Sequence, residues 1–280
     1  VEVIPAASTS QKTIDRVVQY CKMLGKVVIV CGDRPGFVVN RFFVPWLNEA
    51  CLLLEEGHGT AAQIDAIACK AFRIGLGPFG LMNLTGPPIA LHSTDYLAEQ
   101  LATPRYNGAA NLRELVGDNR MWNIEEEDSY TEEQFSLISR RLYGVVFGVA
   151  AQIVEEGVCS VEDVDRGAKV GLRWARGPFE LMNKVGVKNS FEMATEYYKL
   201  CQDSAGNSSW QLPDFFAKQA NNDSPWNFSY VDTQIIDGIA TITINRPEAM
   251  NALNETVIEQ LGIAVEPVSY THLTLPTTSC

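Results

Sequence analysis

The sequence predicts a mainly α protein: two tandem helical-bundle domains, preceded by the tail of an α/β domain and followed by the β-hairpin start of another. Three observations carry this. Residues 77–83 read GPFGLMN and residues 177–183 read GPFELMN. At the same offset of 100, residues 50–86 align with 150–186 without a gap and agree at 14 of 37 positions, including Glu55/Glu155, Glu56/Glu156, Gly57/Gly157, Asp65/Asp165, Arg73/Arg173 and Gly86/Gly186. At both ends of this duplicated region the residue pattern changes from helical to strand-like. A repeat of this length marks a duplicated structural unit.

The elements follow in order. VEVI is a short strand candidate. Ile14, Val17, Val18, Cys21 and Leu24 recur at helical spacing, Gly25 suits the left-handed closing position, and KVVIVC reads as a buried strand. Strand, helix and strand over 1–32 form the end of an α/β domain whose other strands are expected upstream. DRPGF at 33–37 is a turn into a helix that runs to Glu56, with Pro45 expected to bend or divide it. Thr60–Gln63 and Ser160–Asp163 both fit a helix start in which a hydroxyl caps one amide and the residue three later reaches back. Gly77 is read as a free turn and Pro78 as the first helical residue, where its missing N–H costs nothing. Helix initiation accounts for every residue of the GPF phrase except Asn83 and Asn183. The first bundle is assigned to 33–124 and the second to 125–201, each with four or five helices. Residues 202–230, rich in Asn, Ser, Asp, Pro and Gly, read as a linker. VDTQII, Asp237-Gly238 and IATITIN are a hairpin signal, placing the start of a further, truncated domain at 231–265. Residues 266–280 match neither pattern and read as a non-native tail.

Composition limits the chemistry. The net charge of −12 disfavours nucleic acid and anionic membrane surfaces, and no Lys/Arg cluster offsets it locally. No signal peptide is recognisable at VEVIPAASTS, and no apolar run approaches the roughly 18 residues that span a bilayer, so a cytoplasmic protein without membrane partners is expected. Seven cysteines, none in a CxxC pair, read as reduced thiols, and three histidines supply no zinc spacing. No metal site is expected.

VEVIPAASTSQKTIDRVVQYCKMLGKVVIVCGDRPGFVVNRFFVPWLNEACLLLEEG resembles the junction between the NAD-binding and helical domains of the 3-hydroxyacyl-CoA dehydrogenase family. There a Rossmann domain ends in strand and helix, and a D-x-PGF-x-x-NR turn leads into a helix, an acidic-acidic-Gly end and a GPF helix. Both repeats resemble that family's C-terminal helical domain. Separately, DGIATITINRPEAMNALN resembles the first hairpin and loop of the enoyl-CoA hydratase (crotonase) family. Together the resemblances imply a fragment of a bifunctional β-oxidation-type enzyme: NAD as cofactor, an acyl-CoA thioester as substrate, and oxidation of a 3-hydroxyacyl-CoA to a 3-ketoacyl-CoA. The family's His-Glu pair and glycine-rich dinucleotide loop would lie upstream of residue 1, and the hydratase's oxyanion-hole amides and two glutamates beyond the end.

On the residues alone, Asn40 in PGFVVNR is a polar residue in the first turns of a helix. The resemblance makes it the asparagine that holds the substrate at the domain interface, a suitable role for an amide, which donates and accepts without titrating. At offset 100 it faces Arg140, a donor of fixed charge. The second copy is therefore expected to be structural, packing on the first as a pseudo-dimer partner would. Homo-oligomerisation of the full protein stays open. The family's K-T-G-x-GFY-type segment is replaced by GDNRMWNIEEEDS. In the hairpin region the resemblance places Met250 and Ala252 beside CoA, where the residues alone say only a strand-to-helix loop with an Asn cap. Two other readings compete: a noncatalytic helical module for substrate capping and subunit packing, and the helical half of another NAD-dependent dehydrogenase.

Overall fold

The computed structural model describes residues 1–202 and 211–269. They belong to two compact units, Val1–Trp226 and Asn227–Cys280.

The first unit opens with β1 (Glu2–Val3), α1 (Gln11–Met23) and β2 (Ile29–Val30), with β1 and β2 paired in parallel and α1 as the crossover. Ser10 caps α1 at the Thr13 amide, and Gly25 closes it with φ +68°. The strand expected over KVVIVC pairs only at Ile29 and Val30. No α1 residue is buried, because a two-stranded ladder offers too little sheet face to cover an apolar stripe.

The duplicated region follows. In the first copy α2 (Val39–Glu55), α3 (Ala61–Phe72), α4 (Pro78–Thr85), α5 (Pro87–Leu101) and α6 (Ala110–Gly117) succeed one another. In the second the order is α7 (Glu132–Glu155), α8 (Val161–Arg166), α9 (Pro178–Val185), α10 (Val187–Leu200) and α11 (Asp214–Asn221). The backbone repeats where the sequence does. Arg73 and Arg173 both take left-handed φ, +54° and +57°, and Gly86 and Gly186 take +102° and +91°. Pro45 lies inside α2 without dividing it. Thr60 and Gln63 form the reciprocal cap, and in the second copy Ser160 accepts from the Asp163 amide. The copies diverge after that cap: α8 gives way to a π-helical turn at Gly167–Gly171. A Cβ on Gly167 would sit 2.9 Å from Val39 Cγ2, so the glycine lets the start of α2 approach.

α7 packs against α2, α3 and α10. It is long and apolar enough to cross a membrane, with mean hydropathy 1.4 over its most apolar stretch, but 72% of that stretch is buried in the fold. Ion pairs between the copies recur with the roles exchanged. Arg41 Nη2 meets Glu156 Oε1 at 2.7 Å, and Arg141 Nη1 and Nη2 meet Glu56 at 2.5 and 2.6 Å. Residue i of one copy meeting j of the other, and the reverse, is the pattern of an isologous contact. Arg141 also meets Glu49 at 2.6 Å, and Arg105 joins the same carboxylate at 2.7 Å. Glu49 is only 1% exposed, so these charged partners are what make its burial tolerable.

The GPF phrase has a different physical basis from the one its glycine suggests. Gly77 has φ −76° and ψ 176°, an extended conformation open to any residue. What requires glycine is proximity: a Cβ there would lie 2.4 Å from Asp65 Cγ, and on Gly177 it would lie 2.2 Å from Asp165 Cγ. Each aspartate caps the helix behind its glycine. Asp65 accepts from Phe79 N and Gly80 N at 2.7 and 2.8 Å, and Asp165 from Phe179 N and Glu180 N at 2.8 and 2.9 Å. Burial outweighs these donors and pushes the Asp65 carboxyl up to about 6.

Asn83 and Asn183 also acquire a role. Asn83 donates to Trp122 O and accepts from Trp122 N, both at 2.9 Å, and Asn183 does the same to Trp226 at 2.9 and 2.7 Å. Trp122 packs on Phe79 and Trp226 on Phe179. The segment read as a linker is thus partly structured. Within it α11 stands where α6 stands, at an offset of 104 that also relates Trp226 to Trp122 and left-handed Asp223 to Asn119. Polar composition misled here because buried apolar anchors, Phe216 and Trp226 among them, are spaced among the polar residues. The rest of that stretch, 203–210, lies outside the described residues.

In the second unit β3 (Val231–Ile236) and β4 (Ile239–Ile244) form an antiparallel hairpin. Its turn residues Asp237 and Gly238 take φ +50° and +77°, both positive as a two-residue turn matching strand twist requires. Asn254 caps α12 (Glu255–Ser269) by accepting from Val257 N at 3.0 Å. The helix enters the stretch read as a non-native tail, of which 270–280 lie outside the described residues.

Candidate functional site

The DRPGF turn aims the start of α2. Gly36 has φ +76°, and a Cβ on it would meet Arg41 Cα and N and Leu97 Cδ2 at 3.0 Å, so only glycine fits there without displacing backbone. Phe37 follows with φ +48°. The first amides of α2, Val38 N and Val39 N, donate to Glu2 Oε1 at 2.9 and 3.0 Å. A carboxylate on a helix N-terminus satisfies otherwise orphaned donors, and this one ties the α/β tail to the helical repeat one residue before Asn40.

Asn40 is exposed and lines a cleft of about 500 Å³ between the turn and α5. The turn contributes Asp33, Arg34 and Phe37, and α5 contributes His92, Ser93 and Tyr96. Among the described residues no hydrogen bond engages the Asn40 amide, so at this cleft its donor and its acceptor are both uncommitted. The α5 residues escaped sequence reasoning: they carry no motif, and they lie beyond residue 86, where the gapless alignment of the copies ends.

The second copy has a cleft at the corresponding place, of about 360 Å³, lined by Leu137, Arg140, Met193, Glu196 and Leu200. These stand 100 residues after Phe37, Asn40, Ser93, Tyr96 and Gln100 of the first cleft. Here the polar group is consumed. Arg140 Nη2 and Nε meet Glu196 at 2.8 and 3.2 Å, and Nη1 donates to Asn189 Oδ1 at 3.2 Å. Arg141, at the same cleft, is held by Glu56 and Glu49. Arg141's hydrogen bond keeps the Glu56 carboxyl below its usual range, with burial opposing. This cleft offers a ligand apolar walls and charges already paired.

Met250 and Ala252 lie in the second unit, in the loop after β4. Met250 has φ +52° and is 93% exposed. Arg246 closes the loop, its amide donating to Asn251 Oδ1 at 2.8 Å and its Nη1 to Ala252 O at 3.1 Å. The Ala252 carbonyl is therefore already engaged. Among the described residues no three His, Cys, Asp or Glu side chains gather to hold a metal ion.

Comparisons with known proteins bear on the family and the fold. The family model for the 3-hydroxyacyl-CoA dehydrogenase C-terminal domain matches twice, over residues 36–132 and 137–222, and that for the family's NAD-binding domain matches residues 1–34. A human protein named hydroxyacyl-coenzyme A dehydrogenase, mitochondrial, is 36% identical over 131 residues, 46% of this chain and 42% of that protein. A Vibrio cholerae fatty acid oxidation complex subunit alpha is 30% identical over 224 residues, 70% of this chain and 31% of that protein. The chain thus spans less than half the length of these relatives. The crystal structure of an Escherichia coli 3-hydroxybutyryl-CoA dehydrogenase shares the fold at TM-score 0.66 and 15% identity, over 79% of this chain and 67% of that one. With its helical-domain model matched twice over most of its length, the chain belongs to the 3-hydroxyacyl-CoA dehydrogenase family.

Proposed function

We propose that the first unit is the substrate-capping part of an NAD-dependent 3-hydroxyacyl-CoA dehydrogenase, which oxidises a 3-hydroxyacyl-CoA to the 3-ketoacyl-CoA as NAD⁺ takes the hydride. The observation that carries this reading is the contrast between the two clefts: Asn40 presents an uncommitted amide, while Arg140 is locked to Glu196. Asn40 holds the substrate's C3 oxygen, donating to it as alkoxide or ketone and accepting from it as hydroxyl. Because the amide does not titrate, it serves both directions of the reaction. When bound, NAD supplies the hydride acceptor. Residues 1–34 contain two glycines, Gly25 and Gly32, and neither opens a helix. A dinucleotide's pyrophosphate turn is not among them, and this chain's share of the chemistry is on the substrate side.

The second copy supports the first as a built-in dimer partner, a reading that rests on the exchanged ion pairs of Arg41 with Glu156 and Arg141 with Glu56. The second unit is the opening of an enoyl-CoA hydratase-type domain, with the loop at Met250 and Ala252 beside CoA. Its support is the Asp237-Gly238 hairpin followed by the closed NRPEAMN loop.

The test is NADH oxidation with acetoacetyl-CoA, by the chain alone, by the chain with a matching NAD-binding domain, and by that mixture carrying Asn40→Ala. Activity is expected only in the second. Turnover by the chain alone, or full activity in Asn40→Ala, would overturn the reading.

A further inference from the structure

The second copy reaches the first copy's cleft through one side chain. Arg41 follows Asn40 directly and is 2% exposed. Its Nη2 is held by Glu156 Oε1 at 2.7 Å, and its Nη1 donates to the Pro35 carbonyl at 3.3 Å. Its Nε is buried and has no hydrogen-bond partner. The main chain adds a further tie, Arg41 N donating to Gly36 O at 3.0 Å. The turn that aims Asn40 is therefore fastened to Arg41 by side chain and backbone, and Arg41 is fastened in place by a carboxylate from the end of α7. A buried guanidinium deprived of its carboxylate is a costly uncompensated charge. It would relax by moving toward water, releasing Pro35 and with it the turn.

We propose that Glu156 is a positioning residue for the first cleft: it sets the geometry of the 33–40 turn through Arg41, and so the aim of Asn40, without touching substrate. This rests on the substrate reading of Asn40 given above. The reciprocal pair supplies an internal control, since Glu56 makes the corresponding contact with Arg141, at the second cleft and distant in role from Asn40.

The experiment compares the 280-residue chain with its Glu156→Gln and Glu56→Gln variants, by ¹⁵N-¹H NMR without ligand and by titration with acetoacetyl-CoA. In Glu156→Gln the amide signals of Gly36, Phe37 and Asn40 should shift, and the dissociation constant should rise about tenfold, the scale of one charged hydrogen bond acting through geometry. Glu56→Gln should leave those signals in place and change affinity by less than about twofold, although both variants melt earlier. Unshifted 36–40 signals in Glu156→Gln, or equal weakening in the two variants, would overturn the proposal. If the unsubstituted chain does not bind acetoacetyl-CoA, or Asn40→Ala binds as well as it does, the substrate reading fails, and the ligand-free spectra still decide whether Glu156 sets the turn.

Discussion

The two copies solve the same structural problem and differ at the same functional position. Both cap their third helix with an aspartate backed against a glycine, and both lock a tryptophan to an asparagine. At the mouth of the corresponding clefts, however, one presents Asn40 with nothing bound to it and the other presents Arg140 already paired. Duplication preserved what holds the bundle together and released what the cleft does. A shared residue is therefore evidence of architecture, and a differing one at a cleft is the better guide to function.

The comparison breaks most visibly at position 40. In the chain joined with a matching NAD-binding domain, Asn40→Ala should lower acetoacetyl-CoA turnover by about 10²–10³-fold, the range for losing one positioned donor. Arg140→Ala should stay within about twofold. Equal losses would mean that both clefts work. The shared architecture gives the next largest effect. Gly77→Ala drives a methyl group into Asp65, and overpacking against backbone should cost about 3 kcal/mol of unfolding free energy in urea titrations. Gly177→Ala should cost as much, since a Cβ there comes even closer to its aspartate. Asn83→Ala removes two bonds to the Trp122 main chain and should cost about 2 kcal/mol by the same measurement. Asn183→Ala should match it, and a gap between the two would show that the second copy closes differently.

Much of this was legible in the sequence. The offset of 100, the PGF turn, the Asp-Gly hairpin and the Thr60 cap are local, and each depends on one or two residues whose chemistry allows few alternatives. Gly77 shows the limit. Its presence was legible but its reason was not, because the atom it avoids belongs to Asp65, brought close by the fold. Asn83 likewise had no local explanation, since its partner lies 39 residues on. The stretch at 202–230 failed for a third reason: Phe216 and Trp226 suffice to dock α11, and composition averages such sparse anchors away. The α5 wall of the cleft carries no motif because its requirement is shape.

The smallest expected effect concerns pH and separates two kinds of carboxylate, Glu56, exposed and ion-paired, and Asp65, partly buried on a helix start. Arg141's hydrogen bond holds Glu56 below its ordinary value of 4.5 in the fold. Its contribution to stability is thus fully present above about 4.5 and lost as pH falls through the lower folded value. Asp65 runs the other way. With its carboxyl raised from 3.8 to about 6 by burial, the native state holds the proton more tightly than the unfolded chain, so its contribution is full below 3.8 and declines as pH rises through 6. Urea unfolding of the unsubstituted chain and Glu56→Gln, followed from pH 7 to pH 3, should show a stability gap that closes below about 4.5. A gap that persists or widens on acidification would mean that Glu56 acts through packing rather than through its charge, and the exchanged ion pairs would then be a consequence of how the copies meet rather than part of what joins them.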